Sequence, residues 1–163
     1  MSKTHATNEN TFHEFLGHYE VAEIEVAYRP KYIIKNRPVI KTSKDGYEIL
    51  KGVWQDDIQL RERINIIFLN TANNVLGVWE AFSGGISGTV GDIRLVFATA
   101  LKVHASKIVM SHNHPSGNLK ASKADQRITK RFKEAGEILD VTVLDHIIIT
   151  ADGYFSFADE GLM

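Results

Sequence analysis

The sequence predicts an α/β domain in which a mixed β-sheet is flanked by helices. Three observations carry that prediction. Apolar, β-branched runs at residues 64–69 and 141–150 are short and read as buried strands. Residues 92–103 and 122–139 repeat apolar side chains at helical spacing. In the second half of the chain strands and helices alternate, which favours strands side by side with helices packed on the sheet. At 163 residues the chain is long enough for one domain with a substantial core.

Taken in order, residues 1 to about 15 are polar and read as an arm. Residues 21–28 partly alternate and read as a strand whose edge could support a homodimer. Pro30 and Pro38 mark an extended connection over 29–41. Residues 43–54 predict a helix, with Ser43 as N-cap, Asp45 in the first turn, and Tyr47, Leu50 and Trp54 at helical spacing. The centre reads as a hairpin: strand 64–69, the turn Asn70-Thr71-Ala72-Asn73-Asn74, and a returning strand 75–82. The loop at 83–88 is Gly-rich, but neither phosphate-cradling pattern is present. The helix at 92–103 places Ile93, Phe97, Ala100 and Leu101 on one face, and residues 107–110 form a short buried strand. Ile128, Phe132, Ala135 and Leu139 stripe the helix at 122–139. A strand over 141–150, the turn Asp152-Gly153 and a last strand at 154–157 complete the chain.

Composition narrows the function classes. A net charge of −1 gives no global field toward nucleic acid or an anionic membrane. With no Cys, disulfides, thiolate metal sites and Cys nucleophiles are excluded, and a reducing compartment fits. The polar start has no signal-peptide core, and no run approaches the ~18 apolar residues of a membrane span. The expected location is cytoplasmic, with no membrane partner.

The chemistry concentrates in Ser111-His112-Asn113-His114-Pro115, followed by Ser122 and Asp125. Histidines two apart on extended backbone point to the same side. The turn Pro115-Ser116-Gly117-Asn118 lets the chain re-enter beside the strand as a helix, with Asp125 in its first turn. His112, His114 and Asp125 would then supply three protein ligands and leave a fourth tetrahedral zinc position open, as catalytic zinc sites do. A plainer reading exists for each part. Ser122 and Asp125 fit a capping box, an Asp there suits the helix dipole, and the histidines could be loop residues.

These residues resemble the metal motif of JAMM metallopeptidases, the JAB/MPN-plus superfamily. The string His112 to Gly117, with Asp145-His146 after the next helix, is similar to the RadC-type branch, bacterial proteins called DNA repair proteins. The similarity spans about residues 43 to 163, including Leu69-Asn70 and Ser156-Phe157-Ala158. It implies a cytidine-deaminase-like, JAB-MPN-type fold over 43–163, preceded by an N-terminal arm and strand over 1–42. It also implies zinc on His112, His114 and Asp125, Ser122 as donor to a tetrahedral oxyanion, and a strand glutamate as general base. Glu62, which opens the apolar strand some fifty residues before the histidines, is favoured over Glu80 in the returning strand. The implied activity is zinc-dependent hydrolysis of a peptide or isopeptide bond in a peptide or protein substrate.

The remaining titratable groups carry lesser expectations. His146, in an apolar strand, reads as a hydrogen-bonded core residue, and Asp145 as a carboxylate that could orient a metal-bound imidazole. His104 lies in a connection and reads as solvated, and His5, His13 and His18 are given no role. Lys120, Lys123, Arg127, Lys130, Arg131 and Lys133 face only Asp125 and Glu134 as local acids. Such a run is usually a solvated helix face; the alternative is weak nucleic-acid contact through Lys123, Arg127, Lys130 and Arg131. The rival function is accordingly a DNA-associated repair or scaffold protein with a structural or vestigial zinc site. One departure from the RadC-type pattern weighs on that rival: the first forty residues do not read as a helix-hairpin-helix region. A second, Gly91-Asp92-Ile93-Arg94 where many relatives carry Pro-Arg-Glu, bears on any role that run serves and leaves the implied zinc ligands intact.

Overall fold

The computed structural model describes residues 37–54, 58–84 and 91–163. The expected arm and strand before residue 37 and most of the Gly-rich loop lie outside the described residues. The elements follow the order α1 (Ser43–Val53), β1 (Arg63–Leu69), β2 (Val75–Ser83), α2 (Ile93–Lys102), β3 (Lys107–Asn113), α3 (Lys123–Ile138), β4 (Thr142–Ile149) and β5 (Tyr154–Ser156). The strands form one mixed sheet in the order β2-β1-β3-β4-β5. Only β3 and β4 run parallel, joined by α3; the other neighbours are antiparallel. The architecture is therefore α/β, a five-stranded mixed sheet with helices on both faces, as the alternation of patterns predicts.

Burial on both faces explains why β1, β3 and β4 are nearly continuous apolar runs. On one face Ile64, Ile66, Phe68, Ile108 and Met110 pack against Val96, Phe97 and Ala100 of α2 and Phe132 of α3. On the other, Ile67, Leu69, Val109, Ile147 and Ile149 pack against Leu50 of α1, with Ile40 and Trp54. Fully burying a side chain such as Phe132 is worth about 2–3 kcal/mol. Gly136 lets α3 lie close to the start of β4, since a Cβ there would be driven into the Val141 carbonyl oxygen.

The structure departs from the sequence reading at element ends. Thr42, not Ser43, caps α1, in a capping box with Asp45. β3 runs on through His112 to Asn113 instead of stopping at residue 110. The predicted apolar stripes include Leu101 and Leu139, yet these are 51% and 38% exposed. Leu139 is the C-cap, where the backbone has already left the helix; Val96, Thr129 and Gly136 are buried instead.

Candidate metal centre

β3 carries the first imidazole into place. Its side chains alternate, so Ile108, Met110 and His112 share the face covered by α2 and α3. His112 is nearly buried, and β1 and β4 flank it through Ile64 and Ile148. His114 lies one residue past the strand, and its N–H still donates to the Ile149 carbonyl at 2.9 Å. The two rings therefore face the same way, with their Nε2 atoms 2.9 Å apart. The turn after Pro115 fixes the second ring. Gly117 takes φ +78°, its N–H donates to the His114 carbonyl at 3.0 Å, and the Asn118 carbonyl accepts from His114 Nδ1 at 2.5 Å.

The chain then enters α3, capped by Ser122. The capping box is present: Asp125 N–H donates to Ser122 Oγ at 3.1 Å, and Ser122 N–H donates to Asp125 Oδ2 at 2.7 Å. Asp125 also reaches both histidines, with Oδ1 3.4 Å from His112 Nε2 and Oδ2 3.8 Å from His114 Nε2. Burial opposes the charge on Asp125. The neighbouring His112 imidazole and the Ser122 hydroxyl and backbone N–H outweigh it, holding the carboxyl well below the usual carboxylate range.

One ligand atom from each of His112, His114 and Asp125 lies within 4.8 Å of the others, so this group could hold a metal ion. Zinc bonds of about 2.0–2.1 Å in a tetrahedron space the ligand atoms about 3.3 Å apart. The contacts of 2.9, 3.4 and 3.8 Å bracket that value. Donor chemistry agrees. A carbonyl can only accept, so His114 Nδ1 carries a proton toward Asn118, which leaves Nε2 as the nitrogen turned toward the cluster.

Behind His112 stands His146. His112 Nδ1 lies 2.8 Å from His146 Nε2, and His146 Nδ1 lies 2.6 Å from Thr129 Oγ1. Phe157 stacks on the His146 ring, with centroids 4.6 Å apart. Complete burial pulls His146 well below the usual imidazole range, which favours the neutral ring. The reading of His146 as a hydrogen-bonded core residue matches this position. The reading of Asp145 as an imidazole-orienting carboxylate does not. Asp145 accepts from Ser156 Oγ at 2.7 Å and from the N–H groups of Ala158 and His146 at 2.9 and 2.7 Å, and so ties β4 to the chain after β5. It pairs with Val109, on the face turned away from His112.

Glu62 directly precedes β1; an ideal ladder continued two residues past the Ile64–His112 pair would set it opposite His114. Glu80 pairs with Asn65, shares that residue's face, and makes a 2.8 Å ion pair with Arg63. Asn113, fully buried between the histidines, grips the segment around Glu62. Its Nδ2 donates to the carbonyls of Ile58 and Arg61 at 2.5 and 2.9 Å, and its Oδ1 accepts from Arg63 N–H at 2.8 Å.

Asn113 and Thr129 went unnoticed in the sequence. The available signals were an Asn ending a buried apolar strand and a Thr one helical turn beyond Asp125. Of the other expectations, His104 is exposed at φ +55°. Lys123, Arg127, Lys130 and Arg131 are exposed on α3, with Lys130 3.8 Å from Glu134. His5, His13 and His18 lie outside the described residues. Among the described residues, no helix is long and apolar enough to cross a membrane.

The cluster lies within a stretch of chain that matches a known family. A family model described as "RadC-like JAB domain" matches residues 40–162. A UPF0758 protein of Flavobacterium johnsoniae is 43% identical over 144 residues, covering 87% of this chain and 62% of the relative. A UPF0758 protein of Porphyromonas gingivalis is 35% identical over 145 residues, covering 88% and 63%. One from Thermotoga maritima is 45% identical over 101 residues, covering 62% and 46%. The chain thus spans less than two thirds of the length of each of these relatives. With the His-x-His strand, the capped Asp125 and this match over three quarters of its length, the chain belongs to the RadC-like JAB domain family.

Proposed function

We propose that this domain is a zinc-dependent hydrolase of peptide or isopeptide bonds. The observation that carries the reading is the convergence of His112 Nε2, His114 Nε2 and the Asp125 carboxylate, each held from behind by another group. When bound, zinc would supply a Lewis acid for a carbonyl and lower the pKa of a coordinated water to roughly 7. His112, His114 and Asp125 hold the metal. Glu62 takes the proton of the attacking water and passes it to the leaving amine. Ser122 donates to the oxyanion. Its cap uses an oxygen lone pair, so the O–H proton, which otherwise faces the Asp125 carboxylate, can turn to the substrate.

The test is a peptide-library cleavage screen with metal-loaded protein, repeated for Glu62→Gln and Glu80→Gln. Glu62→Gln keeps zinc and loses turnover, while Glu80→Gln keeps both. Full turnover in Glu62→Gln removes Glu62 from the mechanism, and no cleavage by any metal-loaded form removes the hydrolase reading.

A second reading rests on the exposed row Lys123, Arg127, Lys130 and Arg131 along α3. Under it the domain contacts nucleic acid backbone, as a DNA-associated repair or scaffold protein. Mobility shift at several salt concentrations tests it, and binding that does not weaken with salt counts against it.

A further inference from the structure

His112 has a back-side partner that could either accept or donate, so hydrogen-bond geometry decides which of its nitrogens is available to a metal. The chain can be followed from a fixed end. The Asp125 main-chain carbonyl can only accept, and Thr129 Oγ1 lies 2.6 Å from it. The Thr129 hydroxyl proton is therefore committed there, since the alternative sets two oxygen lone pairs against each other. Thr129 Oγ1 then has only lone pairs to offer His146 Nδ1, 2.6 Å away, so that nitrogen carries a proton. His146 is 1% exposed, and burial disfavours the imidazolium. Its Nε2 is left as an acceptor, and His112 Nδ1, 2.8 Å away, must donate to it. His112 Nδ1, on the far side of the ring, thus carries a proton.

We propose that Thr129 and His146 are positioning residues that lock His112 in the Nδ1–H tautomer, presenting its Nε2 lone pair to the cation held with His114 and Asp125. The relay starts at the main chain of Asp125 and ends at His112, so the helix that brings the carboxylate also sets the proton position on the imidazole. Phe157, stacked on His146, holds that ring in the plane the relay needs. His114 reaches the same state through the Asn118 carbonyl. The proposal rests on the metal-site reading above, but the tautomer itself can be read without metal.

The experiment compares Thr129→Val with Thr129→Ser. Valine matches threonine in shape and removes the hydroxyl, while serine keeps it. Long-range 1H–15N correlation spectra of the metal-free protein report which nitrogen of His112 and His146 bears the proton. Wild type and Thr129→Ser should show His112 protonated at Nδ1. In Thr129→Val, His146 is free to turn its proton toward His112, and the Nε2–H form of His112 should appear. Competition titration with zinc should then show affinity weakened by roughly 10–100-fold in Thr129→Val, with Thr129→Ser within a few fold of wild type. A wild-type His112 with no proton on Nδ1, or a Thr129→Val protein with unchanged tautomer and zinc affinity, overturns the proposal. If no form binds zinc, the metal reading fails while the spectra still decide the relay.

Discussion

Removing the Asn113 carboxamide should loosen the segment that carries Glu62 while leaving the His112, His114 and Asp125 cluster in place. Asn113 is fully buried, and it makes three hydrogen bonds to main-chain atoms of residues 58, 61 and 63. Those partners also settle the amide orientation, since two carbonyls require the NH2 group and one N–H requires the oxygen. Each bond is worth about 1 kcal/mol net, and a buried group left unpaired costs ~1–3 kcal/mol. Arg61 is exposed and Ile58 half-buried, so water can reach their carbonyls and the cost stays near the low end. Asn113→Ala should therefore destabilise the protein by about 3 kcal/mol. At ~2–4 °C per kcal/mol for a chain of this size, the melting temperature falls by about 6–12 °C. Asn113→Asp keeps the acceptor for Arg63 but sets a buried carboxylate against two carbonyls, and should be at least as harmful. Urea denaturation gives the free energy, and hydrogen exchange at the Arg63 amide, at least tenfold faster in Asn113→Ala, gives the location. Zinc affinity should stay within about threefold, because His112 and His114 are held by His146 and Asn118. An Asn113→Ala protein within ~0.5 kcal/mol of wild type would refute the clamp. Loss of zinc binding as severe as in His114→Ala would place the role of Asn113 at the ligands instead.

Three further outcomes are expected. Zinc at a free concentration 100-fold above its dissociation constant should add about 2.7 kcal/mol of stability. Calorimetry and metal analysis should show this as a raised melting temperature with one ion per chain, and His114→Ala should abolish both. Gly136→Ala should cost about 3 kcal/mol in urea denaturation, because the new Cβ meets the Val141 carbonyl and main chain has to shift; a neutral result would mean that α3 is not seated this closely on β4. Burial pushes the Asp145 carboxyl up, against the hydrogen bonds from Ser156, Ala158 and His146. The folded state therefore holds this proton more tightly than the unfolded chain, a contribution present below the unfolded value near 3.8 and lost as pH rises through the raised one. Urea midpoints of wild type and Asp145→Asn, followed from acid toward neutrality, should show wild type losing ground as pH rises, whereas a constant gap would contradict the raised value.

The sheet and its helices were legible because each rests on a local period. The apolar run of β1 and the Ile128, Phe132, Ala135 spacing are complete within a few residues of chain. The cluster was legible for the same reason: His112, His114 and Asp125 lie within fourteen consecutive residues, and one strand and one helical turn bring them together. The choice between Glu62 and Glu80 was open because it depends on register. The β1–β2 ladder shifts between Ile64 and Asn65, and such a shift decides which face Glu80 occupies without leaving a mark on the alternation of the sequence. Thr129, His146 and Asn113 were harder still. Their partners lie up to 55 residues away, and only the parallel pairing of β3 with β4 sets His146 beside Met110 and His112.

Ser122 and Asp125 show why a structural and a chemical reading of the same residues need not compete. A carboxylate at the third position of a helix can swing through several rotamers and would lose that freedom on binding a cation. The capping box removes part of this cost beforehand. Ser122 N–H holds Oδ2 at 2.7 Å, and Oδ1 is the oxygen left nearer His112 Nε2, at 3.4 Å. The same geometry points the Asp125 N–H at Ser122 Oγ and the Asp125 carbonyl back along the helix to Thr129, where the relay to His146 begins. On the proposed reading, one helical turn positions a ligand oxygen, a hydroxyl donor and, through Thr129, a proton on an imidazole of the facing strand. The cap that starts the helix therefore also sets its carboxylate against two imidazoles.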